Sequence, residues 1–329
     1  MTKESKIEKT GFSWKKLWHG LTHDYNYWLS FIILVIIAMI INPKFLRWNN
    51  IANLFIQGSI IGLCAMGMSL IISAGMIDLS TGSIVALTAG LGVLVLNSTH
   101  SILLAFLFCI TLGVVLGALN GLLITKGKIA PFIVTLATMS AWRSVINQLG
   151  QGGPFTVSEE MYSSFRMIAA GRILGIPNLM IILIVLTALT AFLMTKTKFG
   201  VYTYSIGSNE NAARLSGINV DKTKTLIYTY AGLMYGIAAF LLASRLTSVQ
   251  AASAGQAYEM DAIAAVAIGG TSMAGGKGSI FGTFIGILIL RIINTVLIMA
   301  NVPPFLNGLV TGIVIIVAVL AQTANSKKK

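Results

Sequence analysis

Between Asn178 and Thr195 the chain reads NLMIILIVLTALTAFLMT, eighteen residues without one ionisable side chain. A helix of that length reaches across most of the hydrocarbon core of a bilayer, about 30 Å thick. Such runs recur along the chain, and this repetition constrains the fold more than any other feature. We place ten candidate spans at 27–42, 55–74, 81–97, 102–125, 131–149, 178–195, 225–244, 259–274, 280–300 and 304–321. Only 10% of the 329 residues are charged, against about 25% in a soluble domain. The expectation is an all-α polytopic membrane protein.

Lys and Arg orient it. If the N-terminus is cytoplasmic and the spans alternate, sixteen of these residues lie inside: Lys3, Lys6, Lys9, Lys15, Lys16, Lys126, Lys128, Lys196, Lys198, Arg214, Lys222, Lys224, Lys277 and Lys327–Lys329. Five lie outside, namely Lys44, Arg47, Arg166, Arg172 and Arg245. Cytoplasmic loops collect basic residues, so the bias favours ten helices with both termini cytoplasmic. The domain plan is then a cytoplasmic segment at 1–26, a permease domain at 27–321 and a basic tail at 322–329. The net charge of +13 follows from the same rule. No basic patch is interleaved with aromatics, which argues against a nucleic-acid partner. Residues 1–25 hold five lysines and no apolar core long enough for a cleavable signal, so 27–42 reads as a retained first span.

Chemistry-bearing clusters are scarce. Cys64 and Cys109 sit in apolar runs and read as packing residues. His19, His23 and His100 lack metal-ligand spacing. GGTSMAGGKGS (269–279) superficially resembles a phosphate loop, but Thr271 stands where the first glycine is required and Gly278 where the hydroxyl is required. We expect no catalytic residue, no metal and no cofactor bound by this chain. Glycines recur every four residues at 113/117/121, 278/282/286, 58/62, 232/236 and 308/312, the spacing that lets helix backbones approach closely.

One stretch breaks the apolar pattern. SNENAARLSGINVDKTK (208–224) reads as a short helix in water. Ser208 is expected to cap it, Glu210 suits its positive end, and Ala212 and Ala213 favour helix. Glu210 and Arg214 form an i, i+4 pair, and Gly217 suits a left-handed C-cap. About eight residues of helix are marginal alone in water, so the stretch needs a surface. That surface is either its own bundle or a separate cytoplasmic protein.

GSNENAARLSGINVDKTK with the following span, and RLTSVQAASAGQAYEMDAIAAVAIGGTSMAGGKGSIFGTFIGILIL (245–290), resemble the permease subunit of ribose-type ABC importers. GMIDLSTGSIVALTAG (75–90) is similar to the same family, and the likeness runs in order from about residue 50 onward. The resemblance implies an ABC importer permease fold in the plasma or inner membrane of a prokaryote. It implies a second copy of the chain, cytoplasmic ABC ATPase subunits that use ATP and Mg, and an extracytoplasmic sugar-binding protein. The stretch 208–219 would be the coupling helix. Ser208, Glu210, Asn211, Ala212, Ala213, Arg214, Gly217 and Ile218 would meet the ATPase.

Intramembrane charges are functional suspects by default. Asp78, in IDLS, is expected to cap the following span. Glu259 and Asp261 either cap the eighth span or help dock the binding protein, and Arg143 is a candidate partner for Asp261. Arg291 departs from the small or apolar residue the family pattern leads us to expect. A neutral sugar needs polar groups along its path; candidates are Gln57, Asn120, Thr135, Thr138, Asn147 and Asn294. For each, hydrogen bonding between helices competes with that role. The sugar is ribose or a relative. Permeases for nucleosides, branched-chain amino acids or a furanosyl signalling molecule are alternatives within the class. A proton-coupled secondary transporter using Asp78 or Asp261 is an alternative outside it.

Overall fold

The computed structural model describes residues 26–303, together with 306, 308–310, 312, 313 and 316. The segments 1–25 and 322–329 lie outside the described residues, as does most of the expected tenth span. The chain is mostly helical. In order the helices are α1 (Asn26–Ile41), α2 (Trp48–Ser73), α3 (Thr81–Thr99), α4 (Ile102–Thr125), α5 (Pro131–Gly150), α6 (Glu159–Ala170), α7 (Asn178–Lys196), α8 (Lys198–Ser208), α9 (Glu210–Leu215), α10 (Val220–Leu246), α11 (Tyr258–Ile268) and α12 (Ile280–Met299).

Six of them, α2, α3, α4, α7, α10 and α12, are long and apolar enough to cross a membrane. α1 is apolar but shorter. α5 has the length, yet carries Ser140, Arg143, Ser144 and Asn147. The segments expected in the cytoplasm gather at one end of the bundle: the Gly276 amide donates to the Ser73 carbonyl at 2.9 Å, and the Thr125 and Thr225 hydroxyls lie 3.1 Å apart.

The centre of the bundle is the seam between α4 and α10, where the glycine spacing acts. A methyl group at Gly113 would strike the Gly232 carbonyl, and one at Gly117 would strike the Tyr228 carbonyl. Gly236 lies against the Cys109 carbonyl in the same way. Without Cβ atoms the two backbones touch, and dispersion and weak Cα–H···O contacts replace the hydrophobic drive that lipid does not supply. α2 packs alongside, with Gly67 against Ala231. Gly282 and Gly286 of α12 repeat the device against Gly269 and Ala265.

At the opposite end, β1 (Pro154–Thr156) pairs antiparallel with β4 (Ser248–Gln250), with Phe155 opposite Val249. A hairpin, β2 (Arg172–Ile173) and β3 (Ile176–Pro177), leads into α7. Between them, α6 buries Met161, Phe165 and Ala169 along one stripe.

Two expectations need correction. The eighth span, expected at 259–274, is the eleven-residue α11, about 16 Å long and half the hydrocarbon thickness. Gly269 and Gly270 end it, Gly270 with φ of 84°, so residues 269–279 form a turn-rich loop. At its other end, the chain from 251 to 257 folds inward until Gly255 lies against Gly82 at the start of α3.

Arg143 does not pair with Asp261. Asp261 Oδ2 accepts from Arg291 Nη2 at 2.7 Å, tying α11 to α12. Residues 259 and 261 sit about 200° apart around a helix, so Glu259 and Asp261 leave α11 on opposite sides.

Replacing Gly232 by Leu should force α4 and α10 apart. The expected outcome is a loss of about 3 kcal/mol or more, read as a lower unfolding temperature in detergent. Asp261→Asn should cost about 3–5 kcal/mol by leaving Arg291 without its counter-charge, and the double variant Asp261→Asn/Arg291→Met should recover most of it.

Candidate coupling surface and polar chamber

The polar stretch forms a peg. α8 runs up to it, a helix that sequence reasoning missed because KFGVYTYSIGS is rich in glycine, aromatic and β-branched residues. The cap of α9 is Asn209, not Ser208. The Asn209 side chain accepts from the Ala212 amide at 2.9 Å, while Ser208 ends α8. α9 is therefore six residues long. Asn219 caps α10 by accepting from the Lys222 amide at 3.0 Å. Gly217, with φ of 83°, makes the turn between them.

Ion pairs brace the peg from outside. Glu210 Oε2 meets Lys224 Nζ at 2.7 Å, and Arg214 reaches Glu210 at 3.4 Å and Asp221 at 3.2 Å. Asp221, and then Glu210, push the Arg214 pKa above its ordinary value. Ala213 is buried against Ile206 and Val220, with Ile218 packed beside them. Ala213, expected to meet a partner, instead fastens the peg to its own chain, and Ile218 is half turned inward. Asn211, Ala212, Arg214, Ser216 and Gly217 are exposed. So is Leu215, which is 90% exposed at the tip.

The peg is clasped to the bundle. Gly207, just before it, packs on the Ser73 carbonyl and the Gly276 amide, with no room for a Cβ. Tyr204 Oη donates to the Gly278 carbonyl at 3.1 Å. Gly75, Gly275 and Gly276 take φ of 75°, 83° and 76°, which lets three turns meet at one point.

From this clasp α11 runs to a polar chamber of about 390 Å³ at its other end. α3 contributes Ser83, α5 contributes Ser140, Arg143 and Ser144, and the inward fold with α11 contributes Gln256 and Glu259. Arg143 Nη1 donates to the carbonyls of Ala251 and Ala254 at 3.1 and 2.8 Å. Its other N–H groups have no acceptor among the described residues. Arg143 and Glu259 line the same chamber, but no ion pair forms between them among the described residues.

The remaining sequence candidates are dispersed. Asp78 is buried; it accepts from the amide and hydroxyl of Ser80 at 2.8 and 2.6 Å, and Tyr235 donates to its other oxygen at 3.2 Å. Asn120 donates to the Ser80 hydroxyl at 2.8 Å, joining this brace. Thr135 and Thr138 return their hydroxyls to carbonyls of their own helix. Gln57 is exposed, and Asn147 and Asn294 are half-buried. None of these lines the chamber. The missed residues Ser140 and Ser144 had a signal: with Arg143 and Asn147, already singled out, they fall three and four apart, a polar stripe on one face of α5.

Residues 50–319 match the family described as branched-chain amino acid transport system / permease component. The chain is 46% identical to the ribose import permease protein RbsC of Bacillus subtilis, over 93% of this chain and 95% of the relative. It is 34% identical to the xylose transport system permease protein XylH of Haemophilus influenzae, over 91% and 97% of the two chains. It is 33% identical to the L-arabinose transport system permease protein AraH of Escherichia coli, over 100% and 98%. No solved structure matches the chain. With six membrane-length helices and a match over most of its length, the chain belongs to this family of membrane transport permeases.

Proposed function

We propose that this chain is the membrane-spanning subunit of an ATP-binding-cassette importer for a pentose, with ribose the first choice. The observation that carries this reading is the near end-to-end similarity to RbsC, XylH and AraH, whose names specify three pentoses. That agreement favours a sugar over a branched-chain amino acid or nucleoside. The importer contains a second copy of the chain, cytoplasmic ATPase subunits that bind ATP and Mg, and an extracytoplasmic sugar-binding protein. The chain itself is not the enzyme.

In this reading the peg is the coupling helix. A six-residue helix capped at its start, closed by Gly217 and braced by ion pairs keeps its shape without a partner. It presents Leu215 and Arg214 outward, an apolar knob beside a fixed positive charge. Closure of the ATPase dimer moves the peg, and the clasp at Ser73, Gly207 and Gly276 passes the motion to α2 and α11. The engaged state of Asp78 and Asp261 speaks against their acting as proton carriers.

The test is uptake of radiolabelled D-ribose into proteoliposomes holding the permease, its ATPase and its binding protein. ATP-dependent accumulation is expected; uptake driven by a proton gradient without the ATPase would overturn the reading. Arg214→Glu and Gly217→Pro should each reduce co-purification of the ATPase while the permease still inserts. Full binding and transport in both variants would refute the coupling assignment.

A further inference from the structure

Ser140, Ser144 and Gln256 are exposed on the surface of the chain, yet they lie well within the depth of the bundle. Arg143 is twelve residues into α5, about 18 Å from its start. Lipid tails offer such groups no hydrogen bonds, and a charged pair facing hydrocarbon is costly. This face is therefore turned toward water or another protein rather than toward lipid. On the same helix the exposed Val145 and Leu149 point to a different side and are apolar, while Phe132, Ile133 and Leu136 continue the polar face toward the start of α5.

The chamber also holds unused hydrogen-bonding capacity. Glu259 has no side-chain donor among the described residues, although Arg143 lines the same space. Arg143 spends one nitrogen on two carbonyls and has N–H groups to spare. The Gly82 backbone keeps the floor open, because a side chain there would strike the Gly255 carbonyl and Glu259. A group that bridges a carboxylate acceptor and a guanidinium donor must both donate and accept. Sugar hydroxyls do both. The volume of about 390 Å³ lies within the range of small-molecule sites.

We propose that this chamber is the intramembrane station of the sugar, where Glu259 and Arg143 hold hydroxyls of the passing pentose, Ser83, Ser140, Ser144 and Gln256 add further polar groups, and Met139 and Ala257 complete the lining. The site is incomplete in one chain, and the second copy closes its exposed side. This assignment rests on the sugar-import reading. It differs from the six sequence candidates for the path and gives Arg143 and Glu259 a role other than bracing or docking.

The experiment uses the complete importer in proteoliposomes with D-ribose. Glu259→Gln and Arg143→Gln should each lower ATP-driven ribose uptake about tenfold or more, as expected when a hydrogen bond to a charged group is lost. The variant complexes should still assemble, and loaded binding protein should still stimulate their ATPase. Uptake within about twofold of the parent in both assembled variants would overturn the assignment.

Because Arg143 also holds the 251–254 turn, a second variant removes dependence on folding. Cys64 and Cys109 are both buried, so Ser140→Cys adds the accessible thiol of a two-cysteine chain. A charged, membrane-impermeant thiosulfonate should modify it, block uptake, and react more slowly in the presence of ribose and loaded binding protein. A thiol that stays unmodified, or whose modification leaves uptake intact, would overturn the proposal. Failure of the parent complex to take up ribose with ATP would instead sink the importer reading.

Discussion

The bundle depends on the place where α4 and α10 touch backbone to backbone. In lipid, apolar side chains gain little by leaving one apolar neighbour for another, so helices hold together only where they fit closely. Gly113, Gly117, Gly232 and Gly236 permit that fit, and α2 and α3 settle around it. Everything else is mounted on this pillar. The Asp78 brace reaches it through Tyr235, and the peg leads directly into α10.

Around the pillar, the chain handles polarity in two ways. Where a polar side chain has no task beyond packing, its hydrogen bonds are local. Thr135, Thr138, Thr203 and Thr223 bond carbonyls one turn back, and Asp78 is enclosed by Ser80 and Tyr235. Arg291 and Asp261 neutralise each other between two helices. Arg143 and Glu259 break this habit, since each retains capacity the fold does not use. That difference separates residues that hold the bundle together from residues available to something passing through it.

Much of this was legible in the chain. Long apolar runs mark α2, α4, α7 and α12, the last despite Arg291, because length and hydropathy suffice to specify a spanning helix. Four-residue glycine spacing announced close helix packing, and the stretch 208–219 announced a short capped helix, though its cap is Asn209 rather than the expected Ser208. What failed did so for physical reasons. Gly269 and Gly270 lie in a stretch whose hydropathy continues past them, so α11 was drawn too long. α8 has poor intrinsic propensity and is held by tertiary contact at Tyr204 and Gly207. The pairing of Arg143 with Asp261 followed from charge alone; helical phase sends Asp261 to Arg291 instead. The chamber was missed because its residues come from three separated segments, and their convergence depends on an inward fold at 251–257 that small residues do not announce.

That inward fold, with the half-length α11, thins the insulating slab at one spot. Elsewhere a hydrophilic solute faces about 30 Å of hydrocarbon, and the penalty for leaving water grows with the distance travelled dry. Beside Gly82 and Gly255 the half-length α11 begins at a notch lined by hydroxyls, an amide and two opposite charges. A shorter dry stretch lowers the penalty that a hydrophilic solute meets on leaving water.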